Sequence, residues 1–370
     1  MMVLLLAGVG LAWLLQKWLY ENYWDFRFGV RIHFTEPFVY EGDRTCLVEE
    51  ITNDKRLPLP AVEVRFAMDR SLVFAGEAQD NSNITDQSYR RDIFSLFMNQ
   101  RVVRRLPVTC RRRGVYEISE ADVVGHDFFF TKRHLLRVEQ CTQLYVYPGP
   151  VDVSRIGLVC QAISGQQLVQ NRLYPDPFEF AGIREYRPSD PQRQINWKAS
   201  ARSGELLVNQ YDSTTNMQVR ILLDLRDEGI WKRDELVEES IRIASSLAAQ
   251  LTKKSVELEV LANAPSAGQP CLHQHLRPGA GQMQELYRAL ACVDARGAVV
   301  PMEQALAAST CESGYVQVLL SHNQDEETAQ LARSLAQAGN GVLWVVPVSH
   351  RFPLERQSVP GVRVIPWEVE

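Results

Sequence analysis

Residues 176 to 205 hold the densest set of side chains in this chain that could do chemistry. Five acids (Asp176, Glu179, Glu185, Asp190, Glu205) and five bases (Arg184, Arg187, Arg193, Lys198, Arg202) alternate with Phe178, Phe180, Tyr186 and Trp197. Carboxylates beside guanidinium groups can build an acid–base site, but equal numbers of the two also pair with one another. A disordered charged tract would carry few such rings. The mixture therefore predicts a packed surface element, docked on its own domain or offered to a partner. Arg184, Tyr186, Asp190, Arg193, Trp197, Lys198 and Arg202 are its junction or partner-binding residues, and no residue is assigned a catalytic role. Elsewhere chemistry is sparse. Cys271, His273 and His275 alternate, so a strand would place all three on one face. A His-x-His pair can chelate zinc, yet the spacing supplies no fourth ligand. The chain has no phosphate-binding G-x-x-x-x-G-K-[ST] loop, no G-x-G-x-x-G and no G-x-S-x-G elbow.

The elements that must position these residues are punctuated in the sequence. Asp190 reads as a helix N-cap, with Pro191 in the first turn and Gly204 as the left-handed stop. Upstream, 28 to 150 breaks into short alternating runs such as FGVRIHF, AVEVRFAM and QLYVYP, separated by Gly, Pro, Asn and Asp. That pattern predicts an antiparallel β-sandwich, with 71 to 99 as a long, less regular loop. Downstream, MQVRILLD, VELEVLAN, YVQVLLS and GVLWVVPV alternate with helical stretches at 234–253, 282–292, 302–309 and 325–338. Strands alternating with helices predict a doubly wound α/β sheet, whose functional face lies at the carboxyl ends of the parallel strands. The expected division is an anchor over 1–24, a β-sandwich-like domain over 25–150, the charged motif and junction over 151–216, and the α/β domain over 217–370.

The chain has 370 residues, a formal charge of −5 and 45% hydrophobic residues, enough for two cores and unsuited to general affinity for nucleic acid or anionic membrane. Six arginines in 101 to 113 lack the interleaved aromatics of a single-strand binder. Seven cysteines, with no close pairing, predict reduced thiols. Residues 1 to 15 carry no charge, and Trp13, Trp18, Tyr20, Tyr23 and Trp24 resemble an interfacial belt. With no basic region before this run and no cleavage site after it, an uncleaved transmembrane helix is expected. Lys17, Arg27 and Arg31 follow it, placing the bulk of the chain on the cytoplasmic side of the cell membrane as a single-pass protein.

The segment FEFAGIREYRPSDPQRQINWKASARSGELLVNQY resembles the core motif of the bacterial domain of unknown function fifty-eight family. Phe180, Gly182, Arg184, Tyr186, Asp190, Ile195, Trp197, Ala201, Arg202, Gly204, Leu206 and Val208 follow its order. Ser189 stands where the family usually has Gly, and Asn196 where it often has Asp. The resemblance implies that 217–370 is a von Willebrand factor A-like domain. It also implies work beside a MoxR-type AAA+ ATPase, in assembly, maturation or stress response of protein complexes. Metal-binding relatives of that domain hold magnesium in an Asp-x-Ser-x-Ser loop. Here the loop reads Asp224-Leu225-Arg226-Asp227-Glu228, so Asp224 is retained while Arg226 and Glu228 replace the serines. Arg226 brings a cation to the metal's place, so the site is degenerate and no bound cofactor is expected. Two functions follow. One is a membrane-anchored protein-interaction scaffold; the other is an enzyme of unrecognised type, with a cleft around Asp224 and the charged motif.

Overall fold

The computed structural model describes residues 2–74, 87–173, 180–187, 190, 192, 195–211, 218–227, 232–277, 279, 281–307 and 315–369. The chain divides into two units, Met1–Gly149 and Pro150–Glu370. The first opens with helix α1 (Met2–Tyr23) and continues in strands β1 (Phe28–Phe34), β2 (Phe38–Tyr40), β3 (Arg44–Asn53), β4 (Leu59–Asp69), β5 (Leu72–Phe74), β6 (Gln87–Leu96), β7 (Gln100–Cys110), β8 (Gly114–His126) and β9 (Arg133–Tyr147). They form a four-stranded sheet, order β1-β3-β7-β5, and a five-stranded sheet, order β2-β9-β8-β4-β6. Period-two alternation turns Leu47, Ile51, Val62, Val64, Val108, Val123 and Leu144 into one fully buried core. The expected loop over 71 to 99 is in part regular: β5 pairs with β7, and β6 pairs with β4 over nearly its full length. Charges on its inward face mask the strand signal of β6, QSYRRDIFSL: Asp92 is buried and paired with Arg90, while Tyr89 and Ile93 are exposed.

The N-terminal helix forms, but no helix among the described residues is long and apolar enough to cross a membrane. The expected transmembrane span is therefore not shown, and this says nothing of spans built from strands. After Leu15 the helix carries Gln16, Lys17, Glu21 and Asn22, which end its apolar character. Its last turns instead belong to the sandwich. Tyr20 and Trp24 are buried in that core, and the Tyr20 hydroxyl donates to the Pro58 carbonyl at 2.6 Å.

The second unit runs α2 (Val153–Leu173), β10 (Phe180–Glu185), α3 (Trp197–Ser203), β11 (Leu207–Tyr211), β12 (Gln218–Asp224), α4 (Asp234–Lys253), β13 (Glu257–Ala262), β14 (Leu272–Leu276), α5 (Gln282–Ala291), α6 (Met302–Ala307), β15 (Val316–Ser321), α7 (Glu326–Gln337), β16 (Gly341–Val348) and β17 (Val362–Glu368). A six-stranded sheet has the order β14-β13-β12-β15-β16-β17. All neighbours are parallel except β14, which joins the edge antiparallel. Strands buried on both faces read as continuous apolar runs, as ILLD, VLLS and LWVV do. One face packs on α2, α4 and α5 through Ile163, Ile241, Leu247 and Leu286; the other packs on α6 and α7 through Met302, Leu331 and Trp344. Helix α2, grouped with the junction in the sequence reading, thus contributes Ile156, Val159, Cys160 and Ile163 to the α/β core. From β12 the chain steps to β13 on one side and later returns through β15 on the other. The carboxyl ends of β12 and β15, with Asp224 paired to Ser321, flank that reversal.

Candidate functional site

Asp224 ends a strand whose side chains are buried, and it is itself only 2% exposed. Its Oδ1 accepts from Asn263 Nδ2 at 2.8 Å and from the Arg226 backbone N–H at 3.3 Å; Oδ2 accepts from Ser321 Oγ at 2.9 Å. Asn263 Oδ1 in turn accepts from the Leu225 N–H at 2.8 Å, and Asn323 Nδ2 donates to the Arg226 carbonyl at 2.6 Å. Three strand ends, those of β12, β13 and β15, are tied by this one carboxylate. The Arg226 guanidinium completes the cluster, 3.9 Å from Asp224, 3.4 Å from Asp325 and 2.5 Å from Glu327, with Thr328 Oγ1 accepting at 3.2 Å. Partial burial opposes its charge, but the surrounding carboxylates, Asp224 first, hold its pKa above the usual arginine value. A divalent ion does not fit here. Both oxygens of Asp224 are engaged by protein donors, and a permanent cation lies among the remaining acids. Among the described residues no group of three or more His, Cys, Asp or Glu is arranged to hold a metal. Glu228 lies outside the described residues.

Next to this cluster His322 is 1% exposed, and neither ring nitrogen has a hydrogen-bond partner. Its Nε2 stands 4.0 Å from Asp227. Burial pushes its pKa down to about 4, against the upward pull of Asp224 and Asp227. It lines a cavity of about 340 Å³ together with Arg233, Asp325, Arg351 and Phe352. A second cavity, of about 500 Å³, opens between Arg226, Asp227, Lys232, Glu238 and Arg296. Sequence reasoning had the Asp224 loop and searched the 321–325 strand end for a metal-binding Asp, but gave no role to Asn263, His322 or Arg233. The signal was a polar residue directly after an apolar strand, as in VLAN and LLSH.

The charged motif is a separate construction. Strands β10 and β11 pair antiparallel, with α3 between them in sequence. Helix α3 starts later than Asp190 predicts. Asn196 is its N-cap, the side chain accepting from the Ala199 N–H at 2.9 Å, and Gly204 closes it at φ +80 in the left-handed region. Asp190 is instead the partner of Arg184 in a bidentate pair at 2.7 and 2.8 Å, and it also accepts from the Arg187 N–H at 2.8 Å. The Arg184 guanidinium holds its carboxyl down at about 2. Ser200, buried, accepts from the Leu207 N–H at 2.8 Å and so fastens α3 to the hairpin. The Tyr186 N–H donates to the Leu206 carbonyl at 2.9 Å. Trp197 does not pack inward: it is 68% exposed, and Lys198, Arg202, Ile183 and Leu206 are not buried either. Arg193 lies outside the described residues. The two predicted groups are thus held differently, with Asp224 buried in the sheet end and the motif residues on the hairpin and α3. The alternating histidines are taken by carboxylates of the neighbouring strand, His273 by Glu259 at 2.7 Å and His275 by Glu257 at 3.2 Å.

Both groups fall within a segment that a known family shares. Residues 182–345 match the family described as "Protein of unknown function DUF58". The DUF58 match begins in β10 at Gly182, takes in the motif from that residue onward together with Asp224 and His322, and ends in β16. No curated protein matches the chain. Among solved structures, the PapD-like domain 7 of human CEP192 is 16% identical, covering 32% of this chain and 86% of that one at a TM-score of 0.20. A cohesin module from a Clostridium perfringens family 33 glycoside hydrolase is 9% identical, covering 32% and 96% at 0.22. The seventh ScaB type I cohesin from Pseudobacteroides cellulosolvens is 12% identical, covering 34% and 95% at 0.23. Likeness at these scores carries no argument about function.

Proposed function

We propose that this chain is a protein-interaction scaffold, attached to the cell membrane through α1 with its bulk on the cytoplasmic side. In this reading the α/β unit is a von Willebrand factor A-like domain without its metal. A MoxR-type AAA+ ATPase is its partner in assembly, maturation or stress response of protein complexes. The observation that carries the reading is the exposed Trp197, on the same helix as the exposed Lys198 and Arg202, with Ile183 and Leu206 also exposed on the hairpin that α3 interrupts in sequence. An exposed tryptophan among apolar and basic side chains is the composition of an interaction hot spot. Arg226 supports the absence of the metal, since its guanidinium lies among Asp224, Asp325 and Glu327.

The test is co-purification from detergent extract. The parent chain is expected to bring down an AAA+ ATPase, and the Trp197→Ala, Lys198→Glu, Arg202→Glu variant to lose it while unfolding at the same temperature. Failure of the parent to recover any ATPase, together with turnover of a small substrate, would overturn the reading. The second reading, an enzyme around Asp224, is favoured by the two cavities beside that loop, which are of small-molecule size. It predicts that Asp224→Asn abolishes that turnover.

A further inference from the structure

Helix α1 is docked at one end only. From Leu6 to Leu15 every side chain is exposed, and the sequence there has no polar face. A helix that is apolar all round belongs in an apolar surrounding, and a protein partner on one side would leave the other sides wet. Where this stretch ends, the turn between β8 and β9 comes alongside. Gln16 Nε2 donates to Asp127 Oδ2 at 3.3 Å, Lys132 pairs with Glu21, and Trp24 stacks on His134 with ring centroids 5.6 Å apart.

Asp127, buried, accepts from the backbone N–H of Thr131 at 2.6 Å and of Lys132 at 3.2 Å, and also from the Thr131 hydroxyl. These bonds close a turn that points three consecutive rings outward: Phe128, Phe129 and Phe130 are 58, 56 and 61% exposed. Phe130 adopts φ +57, a conformation a bulky residue takes only when its surroundings impose it. Trp13, Trp18, Tyr23 and Phe26 are exposed on and just after the helix. Lys17 lies over the Trp13 ring at 5.3 Å, and Lys132 and Arg133 follow the turn. Rings and cations gathered where an apolar helix emerges fit the boundary between lipid headgroups and acyl chains.

We propose that the 127–132 turn is a second membrane contact, in which Phe128, Phe129 and Phe130 enter the leaflet that receives the apolar end of α1. Lys17 and Arg133 then face anionic headgroups. The inference rests on the membrane attachment proposed above, and it needs only insertion into one leaflet. It is tested in the full chain reconstituted into phosphatidylethanolamine–phosphatidylglycerol vesicles. Phe129→Cys, Val9→Cys and Tyr89→Cys are each treated with a water-soluble maleimide. Label above that of the parent is counted by mass and compared with the same chain after denaturation. Loss of label at positions 129 and 9, with full label at position 89, is the expected result. Loss at position 9 with full label at position 129 would overturn the second contact while leaving the attachment of α1 intact. Full label at all three positions would overturn both. Protection of position 129 by added cytosolic protein, and not by vesicles, would assign the rings to a protein partner and so overturn the proposal. As a check free of new thiols, Phe128→Ser, Phe129→Ser, Phe130→Ser is expected to float with vesicles less than the parent.

Discussion

Asp224 is the residue on which the sheet end of the α/β unit depends. Replacing it by Ala leaves the Asn263 amide and the Ser321 hydroxyl without their acceptor, and removes one of the acids around Arg226. Groups orphaned in this way cost about 1–3 kcal/mol each when buried. Asp224→Ala is therefore expected to lower the denaturant midpoint of the unit clearly, and Asp224→Asn, which keeps an acceptor oxygen, to lower it less. His322 adds a pH dependence with a definite sign. Its pKa falls from 6.5 to about 4 on folding, so the unfolded chain takes up a proton that the folded chain refuses. Its contribution is fully present above about pH 6.5 and is lost as pH falls toward 4. His322→Gln is expected to flatten thermal stability across that window; an unchanged slope would show that the imidazole is not neutral in the fold. Arg184 and Asp190 give a second acid response. A carboxyl held at about 2 keeps its pair through mildly acid solution and loses it only near that pH.

At the scale of elements, the attachment of α1 rests on contact between Trp24 and the glycine at position 125. A Cβ there would lie within 2.5 Å of two carbons of the indole ring, which packs in a core that also holds Tyr20. Gly125→Ala is expected to cost about 1–3 kcal/mol by thermal unfolding. Gly157→Ala in α2, where a Cβ meets nothing within 4 Å, should be neutral or stabilising. Asn196→Ala is expected to fray α3 at a cost of about 1 kcal/mol, read by hydrogen exchange at Ala199. These elements were unequally legible. Alternation within strands and their interleaving with helices disclosed the class of both units, because burial on one face or on two leaves different periods in sequence. The start of α3 was not disclosed. Asp190-Pro191 is a good local cap, but the hairpin makes Asp190 the partner of Arg184, six residues back and close only after folding. Strand β6 was hidden for a similar reason, since Arg90 and Asp92 pair with each other along the strand and so look like loop residues. For Trp197 the sequence left both readings open, because nothing in sequence separates a ring that packs from one that is offered.

For the whole molecule, a β-sandwich unit with an apolar N-terminal helix is joined in one chain to an α/β unit whose strand-end acids are paired by an arginine. Chemistry is concentrated at the ends of β12 and β15, and exposed apolar surface lies on α3, on the first half of α1 and on the 127–132 turn. Surfaces of that kind are uncommon on a protein that works alone. The central claim is that the Trp197 face is occupied by another protein. It is tested most directly by a photo-crosslinking phenylalanine derivative placed at position 197 in living cells, with position 115, an exposed strand residue of the β-sandwich unit, as control. Irradiation is predicted to join an AAA+ ATPase to the chain from position 197 and not from position 115. No adduct from position 197, or the same adducts from both positions, would contradict the account.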